Sequence, residues 1–357
     1  MADAYDFSAL ARADLKTLTP YTVPNSAVKV RLADNENPYD FPDEVRDKIF
    51  ESARKAEFNR YPDTDAVRLR EKLAEYMGVA KENVMTGNGS DELILSVMLA
   101  FGVGAAFAVA TPTFSMYGIH GQVAGAREIS VPRREDYSLD VAALLETAAA
   151  PEVKLIIICN PNSPTGNLTP VETIEKILAK SNAVVVVDEA YGEFSGATAR
   201  PLLDRYPNLV ILRTFSKAFS LAGLRVGYLL ARGAVMTELQ KVKPPYNLNT
   251  FSQTAAITVL EHLHLFQTRV KAILVQRERL LEGMVSIPGI QTYPTAANFV
   301  LFRTDLPANQ VYDSLLEQGI KIRYLGDPVL SGCLRVTVGT EKENTFFLGA
   351  LRGIVGG

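Results

Sequence analysis

The sequence has few cysteines and histidines, and this scarcity excludes several classes of site. Its 357 residues include two cysteines, Cys159 and Cys333, far apart and in apolar contexts. Two thiols are too few for a disulfide scaffold or a metal knuckle, so we expect buried thiols in a reducing compartment. The three histidines are His120, His262 and His264, and the last two face different sides of a predicted helix. We therefore expect no metal site and assign catalysis to other groups.

Long apolar runs and a strong net charge are also missing. No stretch approaches the ~18 consecutive apolar residues of a membrane span, and Met1 to Asp6 lacks the basic and apolar regions of a signal peptide. Lys and Arg number 37 and Asp and Glu 40, so the net charge is 37 − 40 = −3. This balance argues against nucleic acid or an anionic membrane as a partner. We expect a cytoplasmic protein.

What is present is an alternation of short apolar strands and helices, in a chain long enough for two domains. Continuous apolar runs predict a mostly parallel sheet covered by helices on both faces, which is an α/β fold. The predicted strands of this part are Ala105–Ala110, Val153–Cys159, Ala183–Asp188, Leu209–Leu212 and Gly227–Leu230. The predicted helices are Asp43–Lys55, Asp65–Met77, Ser90–Phe101 and Pro170–Ala179.

Two changes in pattern suggest domain boundaries. The first forty residues are irregular, with prolines at 20, 24 and 38, and Lys243-Pro244-Pro245-Tyr246 is a clear break. After the break we predict one long helix over Ser252–Met284. Strands at Asn298–Phe302 and Leu334–Val338 then mix with helices at Ala308–Gln318 and Glu343–Ile354, which indicates a smaller α+β domain. The expected division is an arm with a small-domain segment (1–41), a large domain (42–247) and a small C-terminal domain (248–357).

Ligands of open parallel sheets bind outside the carboxyl ends of the strands, and notable motifs stand at such ends. Thr86-Gly87-Asn88-Gly89-Ser90-Asp91 precedes a helix, whose free N–H groups suit a phosphate, although Ser90 or Asp91 is also a good helix cap. Asn160-Pro161-Asn162-Ser163-Pro164-Thr165-Gly166 follows a strand and by itself is typical of a turn.

Asp188 and Lys217 follow buried strands and are the residues most typical of chemistry. Asp188 ends a run of valines, and a buried carboxylate needs a partner. A pyridinium nitrogen, an arginine or a helix start would each serve. Lys217 lies in Thr214-Phe215-Ser216-Lys217, with Arg225 eight positions later. A lone lysine is usually a solvated surface residue, but this setting suits a Schiff base to a carbonyl cofactor beside its phosphate.

Taken in order, these motifs make the chain similar to the fold-type-I pyridoxal-phosphate enzymes, the aspartate aminotransferase superfamily. Within it, the chain most resembles the histidinol-phosphate aminotransferase family. The matching runs are Leu32-Ala33-Asp34-Asn35-Glu36-Asn37-Pro38, Arg60-Tyr61-Pro62-Asp63, Gly87-Asn88-Gly89-Ser90-Asp91-Glu92, Pro112-Thr113-Phe114-Ser115-Met116-Tyr117, Asp188-Glu189-Ala190-Tyr191, Ser216-Lys217 through Leu224-Arg225, and Leu334-Arg335-Val336-Thr337-Val338-Gly339. The resemblance implies a seven-stranded large-domain sheet and pyridoxal 5′-phosphate as cofactor.

The resemblance also implies a role for each matching residue. Lys217 forms the Schiff base and moves the substrate Cα proton, Asp188 pairs with the pyridine nitrogen, and Tyr191 binds the ring oxygen. The expected phosphate and ring contacts are Gly89, Ser90, Asp91, Thr214, Ser216, Arg225 and Phe114, with Tyr61 reaching the phosphate of the neighbouring subunit in a homodimer with shared active sites.

Two positions depart from the family pattern. Where many relatives have Asn before Pro-Thr-Gly this chain has Ser163, so we expect Asn162 to take the ring-oxygen contact. The stacking aromatic, often Tyr, is Phe114, which should alter fine tuning rather than the reaction type.

The resemblance implies transamination of histidinol phosphate and imidazole-acetol phosphate with 2-oxoglutarate and glutamate, a step of histidine biosynthesis. Arg335 would clamp the substrate carboxylate. For the substrate phosphate we expect Arg323, supported by Tyr21 and Asn88. Alternatives are a threonine-phosphate decarboxylase, an aromatic or broad-range aminotransferase, and a cofactor-binding protein without activity; retention of Lys217 argues against the last.

Overall fold

A computed structural model describes residues 7–20, 27–326 and 328–356. A large sheet lies between layers of helices, with a smaller region of sheets and helices beside it. The predicted α/β class with a smaller α+β part is therefore confirmed. None of the helices in these residues is long and apolar enough to cross a membrane.

The strands are β1 (Val30–Arg31), β2 (Val84–Asn88), β3 (Ala106–Thr111), β4 (Arg127–Pro132), β5 (Val153–Cys159), β6 (Val184–Asp188), β7 (Leu209–Thr214), β8 (Val226–Leu230), β9 (Ile290–Thr292), β10 (Phe299–Thr304), β11 (Ile320–Lys321), β12 (Arg323–Tyr324) and β13 (Cys333–Thr337). The helices are α1 (Asp43–Arg54), α2 (Val67–Met77), α3 (Ser90–Phe101), α4 (Met116–Ala124), α5 (Val141–Ala148), α6 (Val171–Lys180), α7 (Gly192–Ser195), α8 (Gly233–Val242), α9 (Thr250–Glu261), α10 (Leu263–Val285), α11 (Ala308–Glu317) and α12 (Glu341–Val355).

The large sheet has seven strands in the order β2-β8-β7-β6-β5-β3-β4. Its strands pair in parallel except β8, which is antiparallel to β2 and β7. The central strands are buried on both faces, which explains why they read as unbroken apolar runs. The carboxyl ends of β5, β6 and β7 lie side by side, and β2 ends at the same edge, where α3 begins.

The predicted helix over Ser252–Met284 is wrong as a single element. The chain forms α9 and α10 with a break at His262, whose φ is −122°. The ring Nδ1 of His262 lies 2.7 Å from the carbonyl oxygen of Thr258, one turn earlier. Apolar periodicity continues through the break, so the pattern alone does not reveal it.

The smaller region contains an antiparallel sheet in the order β12-β13-β10-β9. In it Arg323 on β12 lies directly opposite Arg335 on β13. The N-terminal β1 pairs in parallel with β11, with Val30 opposite Ile320. The segment before α1, predicted to be irregular, thus contributes a strand to this region.

Candidate functional site

A cavity of about 110 Å³ opens where β5, β6 and β7 end. Its position is the one that parallel sheets offer to ligands. It brings together most of the residues predicted for a cofactor site. Its lining residues are Ser90, Asp91, Phe114, Cys159, Ser163, Asp188, Ala190, Tyr191, Thr214, Ser216, Lys217 and Arg225.

Lys217 lies just beyond β7, so its side chain reaches the cavity from the strand edge. Its Nζ donates a hydrogen bond to the carbonyl oxygen of Asp34 at 2.7 Å. Burial, reinforced by the charge of Arg335, lowers the pKa of Lys217 to about 8. About a tenth of the amine is therefore neutral and nucleophilic at pH 7, far more than for an ordinary lysine.

Asp188 ends β6 and is buried. Its carboxylate accepts hydrogen bonds from the hydroxyl of Tyr117 at 2.8 Å and from the backbone N–H of Ala190 at 3.1 Å. No arginine, lysine or histidine of the described residues pairs with it. Burial raises the pKa of Asp188 to about 6, because the charged form lacks solvation. The site thus suits a ligand that brings a positive charge to this carboxylate.

The start of α3 and Arg225 form a cradle for an anion. Gly89 has φ +81°, and a Cβ added there would lie 2.5 Å from Nη2 of Arg225. Arg225 donates to Asp91 at 2.9 Å and to the hydroxyl of Ser216 at 3.5 Å. The free N–H groups of the helix start, hydroxyls and a guanidinium therefore surround one point, as a phosphate requires.

Ser163, and not Asn162, lines the cavity. The side chain of Asn162 is fully buried and its amide already has four partners. Its Nδ2 donates to Pro112 O and Thr165 Oγ1, and its Oδ1 accepts from Thr113 and Arg133. The Asn162 amide already donates to two partners and has no donor left for the expected contact with the ring oxygen. Ser163 lies at the cavity instead, because neighbouring residues of this turn point in different directions.

An outer cleft of about 490 Å³ joins the cavity and carries the arginines predicted for substrate. Arg335 donates to Ser163 Oγ at 3.0 Å and to the carbonyl oxygen of Ala33 at 2.8 Å. Arg323 lines the same cleft. Phe114 lies between the cleft and the inner cavity, with its ring edge-on to Tyr117.

Asn88 and Tyr61, like Asn162, are not among the residues that line the cavity or the outer cleft. Asn88 is exposed, and its backbone N–H donates to Glu92 at 3.2 Å. Tyr61 is 80% exposed and stacks on Tyr246 with ring centroids 4.5 Å apart. Tyr21 lies outside the described residues.

Sequence reasoning assigned no role to Asn35, Asp34 or Cys159, which the structure places at the site. Asn35 donates to the hydroxyl of Tyr191 at 2.8 Å, and burial raises the pKa of that tyrosine. Asp34 and Asn35 line the outer cleft, and Cys159 lines the inner cavity. The run from Leu32 to Pro38 was the available signal for the first two, but it lies almost 200 residues from Lys217.

Comparisons with known proteins agree with this geometry. The family profile described as aminotransferase class I and II matches residues 27–351. Histidinol-phosphate aminotransferase of Caldanaerobacter subterraneus subsp. tengcongensis is 42% identical over 348 residues, which are 97% of this chain and 99% of the relative. Histidinol-phosphate aminotransferase 1 of Carboxydothermus hydrogenoformans is 44% identical over 346 residues, 97% of each chain. The solved histidinol-phosphate aminotransferase of Sinorhizobium meliloti, in complex with pyridoxal-5′-phosphate, has a TM-score of 0.89 at 25% identity over 99% of both chains.

Proposed function

The chain belongs to the class I and II aminotransferases, and on that premise we infer that it transfers the amino group between histidinol phosphate and 2-oxoglutarate. The products are imidazole-acetol phosphate and glutamate, in histidine biosynthesis. The observation that carries this proposal is the near-complete match to relatives of that name at 42% and 44% identity. A solved threonine-phosphate decarboxylase of Porphyromonas gingivalis is 22% identical and shares the fold alone.

Pyridoxal phosphate is the cofactor, and the cavity passes a chemical test for it. Asp188 is a buried carboxylate without an ion-pair partner in the described chain, which suits the ring nitrogen. The glycine at 89 leaves room beside Arg225 for the phosphate, and Phe114 offers an aromatic face. When bound, the cofactor supplies an aldehyde that captures amines and a conjugated ring that accepts electrons from a bond at Cα.

We assign the amine of Lys217 to two tasks, holding the cofactor aldehyde and moving the substrate Cα proton. Its lowered pKa, about 8, keeps part of the amine free of a proton, which both tasks need. The carbonyl oxygen of Asp34 orients Nζ at 2.7 Å. Since that contact comes from the N-terminal segment, the segment helps to place the base.

We assign orientation of the cofactor ring to Asp188, Tyr191 and Ser163. The carboxylate of Asp188 holds a proton on the ring nitrogen, and Tyr117 and Ala190 hold the carboxylate in place. The hydroxyl of Tyr191 is oriented by Asn35. The Ser163 hydroxyl accepts from Arg335 and retains its own hydrogen for the ring oxygen.

Arg335 and Arg323 are proposed to bind the substrate anion. They face each other across β12 and β13 and line one cleft. Glutamate presents a carboxylate next to its Cα, whereas histidinol phosphate presents a phosphate ester there. Two adjacent guanidinium groups can accept either anion, because each fork binds carboxylate or phosphate oxygens.

A homodimer with shared sites is part of the proposal. Tyr61 is exposed and stacked on Tyr246, away from the cavity of its own chain, so it is free to reach the phosphate of a second subunit. The reaction takes small soluble substrates. The two buried free thiols, Cys159 and Cys333, suit the reducing cytoplasm.

Half-reaction spectroscopy tests the function. Protein saturated with pyridoxal phosphate should show a visible absorption band, and histidinol phosphate should bleach it with formation of imidazole-acetol phosphate and no carbon dioxide. Lys217→Ala should lack the band of bound cofactor. Release of carbon dioxide from threonine phosphate, with no response to histidinol phosphate, would contradict the proposed transamination and favour the decarboxylase alternative.

A further inference from the structure

Arg133 is a mostly buried arginine that the proposed function does not use. Its Nε, Nη1 and Nη2 donate to Ala110 O at 3.3 Å, Tyr137 O at 3.0 Å and Asn162 Oδ1 at 2.9 Å. All three acceptors are neutral, and Arg133 forms no ion pair with a carboxylate of the described residues. Burying a charge without a counter-charge is costly, so the position of this guanidinium calls for a function.

The contacts of Arg133 belong to a closed ring of hydrogen bonds around the Asn-Pro turn. Asn162 donates to Thr165 at 2.7 Å, and Thr165 in turn donates to Asn167. Asn167 donates to Tyr137 O at 3.1 Å, the same carbonyl oxygen that accepts from Arg133. The ring fixes the backbone on both sides of Ser163. Arg133 is thereby one of the residues that fix the turn carrying Ser163, together with Pro112 and Thr113.

The positive charge of Arg133 also lies close enough to act on the cavity. Burial raises the pKa of Cys159, a lining residue, to about 12, and the charge of Arg133 is among the influences that oppose this rise. Burial lowers the pKa of Arg133 to about 10, so the guanidinium remains charged at neutral pH. The ionisable groups that face Arg133 or line the cavity and cleft are Tyr117, Asp34, Asp91, Cys159, Asp188, Tyr191, Lys217, Arg225, Arg323 and Arg335.

We infer that Arg133 is a positioning residue that holds Ser163 against the cofactor ring and supplies a fixed positive charge to that side of the cavity. The inference rests on the proposed cofactor. A fixed positive charge favours the more negative of two protonation states. The bound cofactor should therefore lose its titratable proton at a lower pH than it would beside a neutral side chain.

The test is a pH titration of the visible absorption band of the cofactor-loaded protein. Arg133→Met should move the midpoint upward by about one pH unit, the order expected when one unit charge is removed from beside a buried titrating group. Arg133→Gln, which keeps a donor for Asn162 but no charge, should move it equally. Arg133→Lys should stay near the wild-type midpoint.

Arg134→Met is the matched control, since Arg134 is the next residue but its side chain is 60% exposed. Arg134→Met removes a charge that lies in solvent, where water and salt screen it. The midpoint of this variant should therefore stay within about 0.3 pH units of wild type. An unshifted midpoint in folded Arg133→Met overturns the inference. So does failure of both neutral variants to fold while Arg133→Lys folds, because that assigns Arg133 to folding alone. A wild-type protein without any visible band instead overturns the cofactor proposal, and this inference with it.

Discussion

Asp188 and Lys217 face one cavity with pKa values moved in opposite directions by the same cause. Burial raises the pKa of the Asp188 carboxyl to about 6 and lowers the pKa of the Lys217 amine to about 8, because apolar surroundings disfavour both charged forms. A ligand that supplies the missing partner should therefore stabilise each group in the form that it binds. A cationic ring nitrogen would compensate the carboxylate, and covalent capture would use the neutral amine.

The cost of ionising Asp188 should be measurable in the cofactor-free protein. Its pKa is raised from 3.8 to about 6, so between about pH 4 and pH 6 the unfolded chain loses this proton while the folded chain keeps it. The native state loses stability over that window as the pH rises. Asp188→Asn should escape the loss, gaining on the order of 3 kcal/mol over wild type between pH 4 and pH 7 in urea unfolding.

Asp140→Asn is the control for this experiment. Asp140 caps α5 by accepting from the N–H of Ala143, and this bond lowers its pKa. The stability that this carboxylate contributes is present at higher pH and lost on acidification. The free energy of unfolding of Asp140→Asn should therefore fall relative to wild type as the pH rises. A difference between Asp188→Asn and wild type that does not change with pH would contradict the burial argument.

Arg323 and Arg335 should differ in what their loss does to the two substrates. Arg335 already binds Ser163 and Ala33 beside the cavity, so Arg335→Ala should impair glutamate and histidinol phosphate alike. Arg323→Ala should raise KM for histidinol phosphate at least tenfold while changing glutamate less, since a dianionic phosphate gains more from the second guanidinium. Arg279→Ala, at an exposed site on α10, controls for charge. Equal losses on both substrates would remove the phosphate role of Arg323.

Residue types and their local setting predicted Lys217, Asp188, Tyr191 and Arg225, and the structure gathers these four at one cavity. Local setting failed to distinguish Asn162 from Ser163, because the partners that hold Asn162 away from the cavity include Arg133, 29 positions away, and Thr113. Arg133 itself stands in a polar run after β4 that looks like a surface turn. The roles of all these residues stay predictions.

At the scale of elements, the turn after β6 is held by a buried group of three charges. Arg213 on β7 contacts Glu189 and Glu193 at 2.7 Å each, and the side chains of all three are at least 90% buried. Glu189 also accepts from Thr198 and from the N–H of Ala199. Since Asp188 ends β6 and Tyr191 lies in the turn that follows, this group holds their side of the cavity in place.

Arg213→Met should destabilise the protein strongly, by about 3–5 kcal/mol, because it leaves two buried carboxylates without a counter-charge. Arg205→Met breaks the exposed pair with Glu175 and should cost less than about 1 kcal/mol. Urea unfolding of the cofactor-free variants measures both. Similar losses in the two variants would contradict the assignment of a special role to burial.

Elements were predictable where one physical signal dominated. Strands such as β5 and β6 read as apolar runs because both faces are buried. Strand direction carries no such signal, so the antiparallel course of β8 could not be read from Gly227–Leu230. The two-residue strands β1 and β11 are too short for any periodicity. The domain limits at 41 and 247 also stay predictions.

At the scale of the whole molecule, the proposed dimer makes each site depend on two chains. Tyr61→Phe and Lys217→Ala should each be impaired alone. Mixed and allowed to exchange subunits, they should regain up to about a quarter of wild-type activity per site, since half of the molecules are heterodimers and each of these holds one site with both native residues. Exchange is verified with differently tagged chains. Heterodimers that form without activity would contradict the shared site.

The pairing of β1 with β11 joins the start of the chain to a point almost 300 residues later. During synthesis, the sheet that carries Asp188 and Lys217 can be completed once β8 has left the ribosome, because β2 to β8 are contiguous in sequence. The pairing that anchors β1, just before Asp34 and Asn35, must wait until Ile320 emerges. Lys217 can therefore be in place beyond β7 well before the strand next to Asp34, whose carbonyl oxygen accepts from its amine, is anchored by β11.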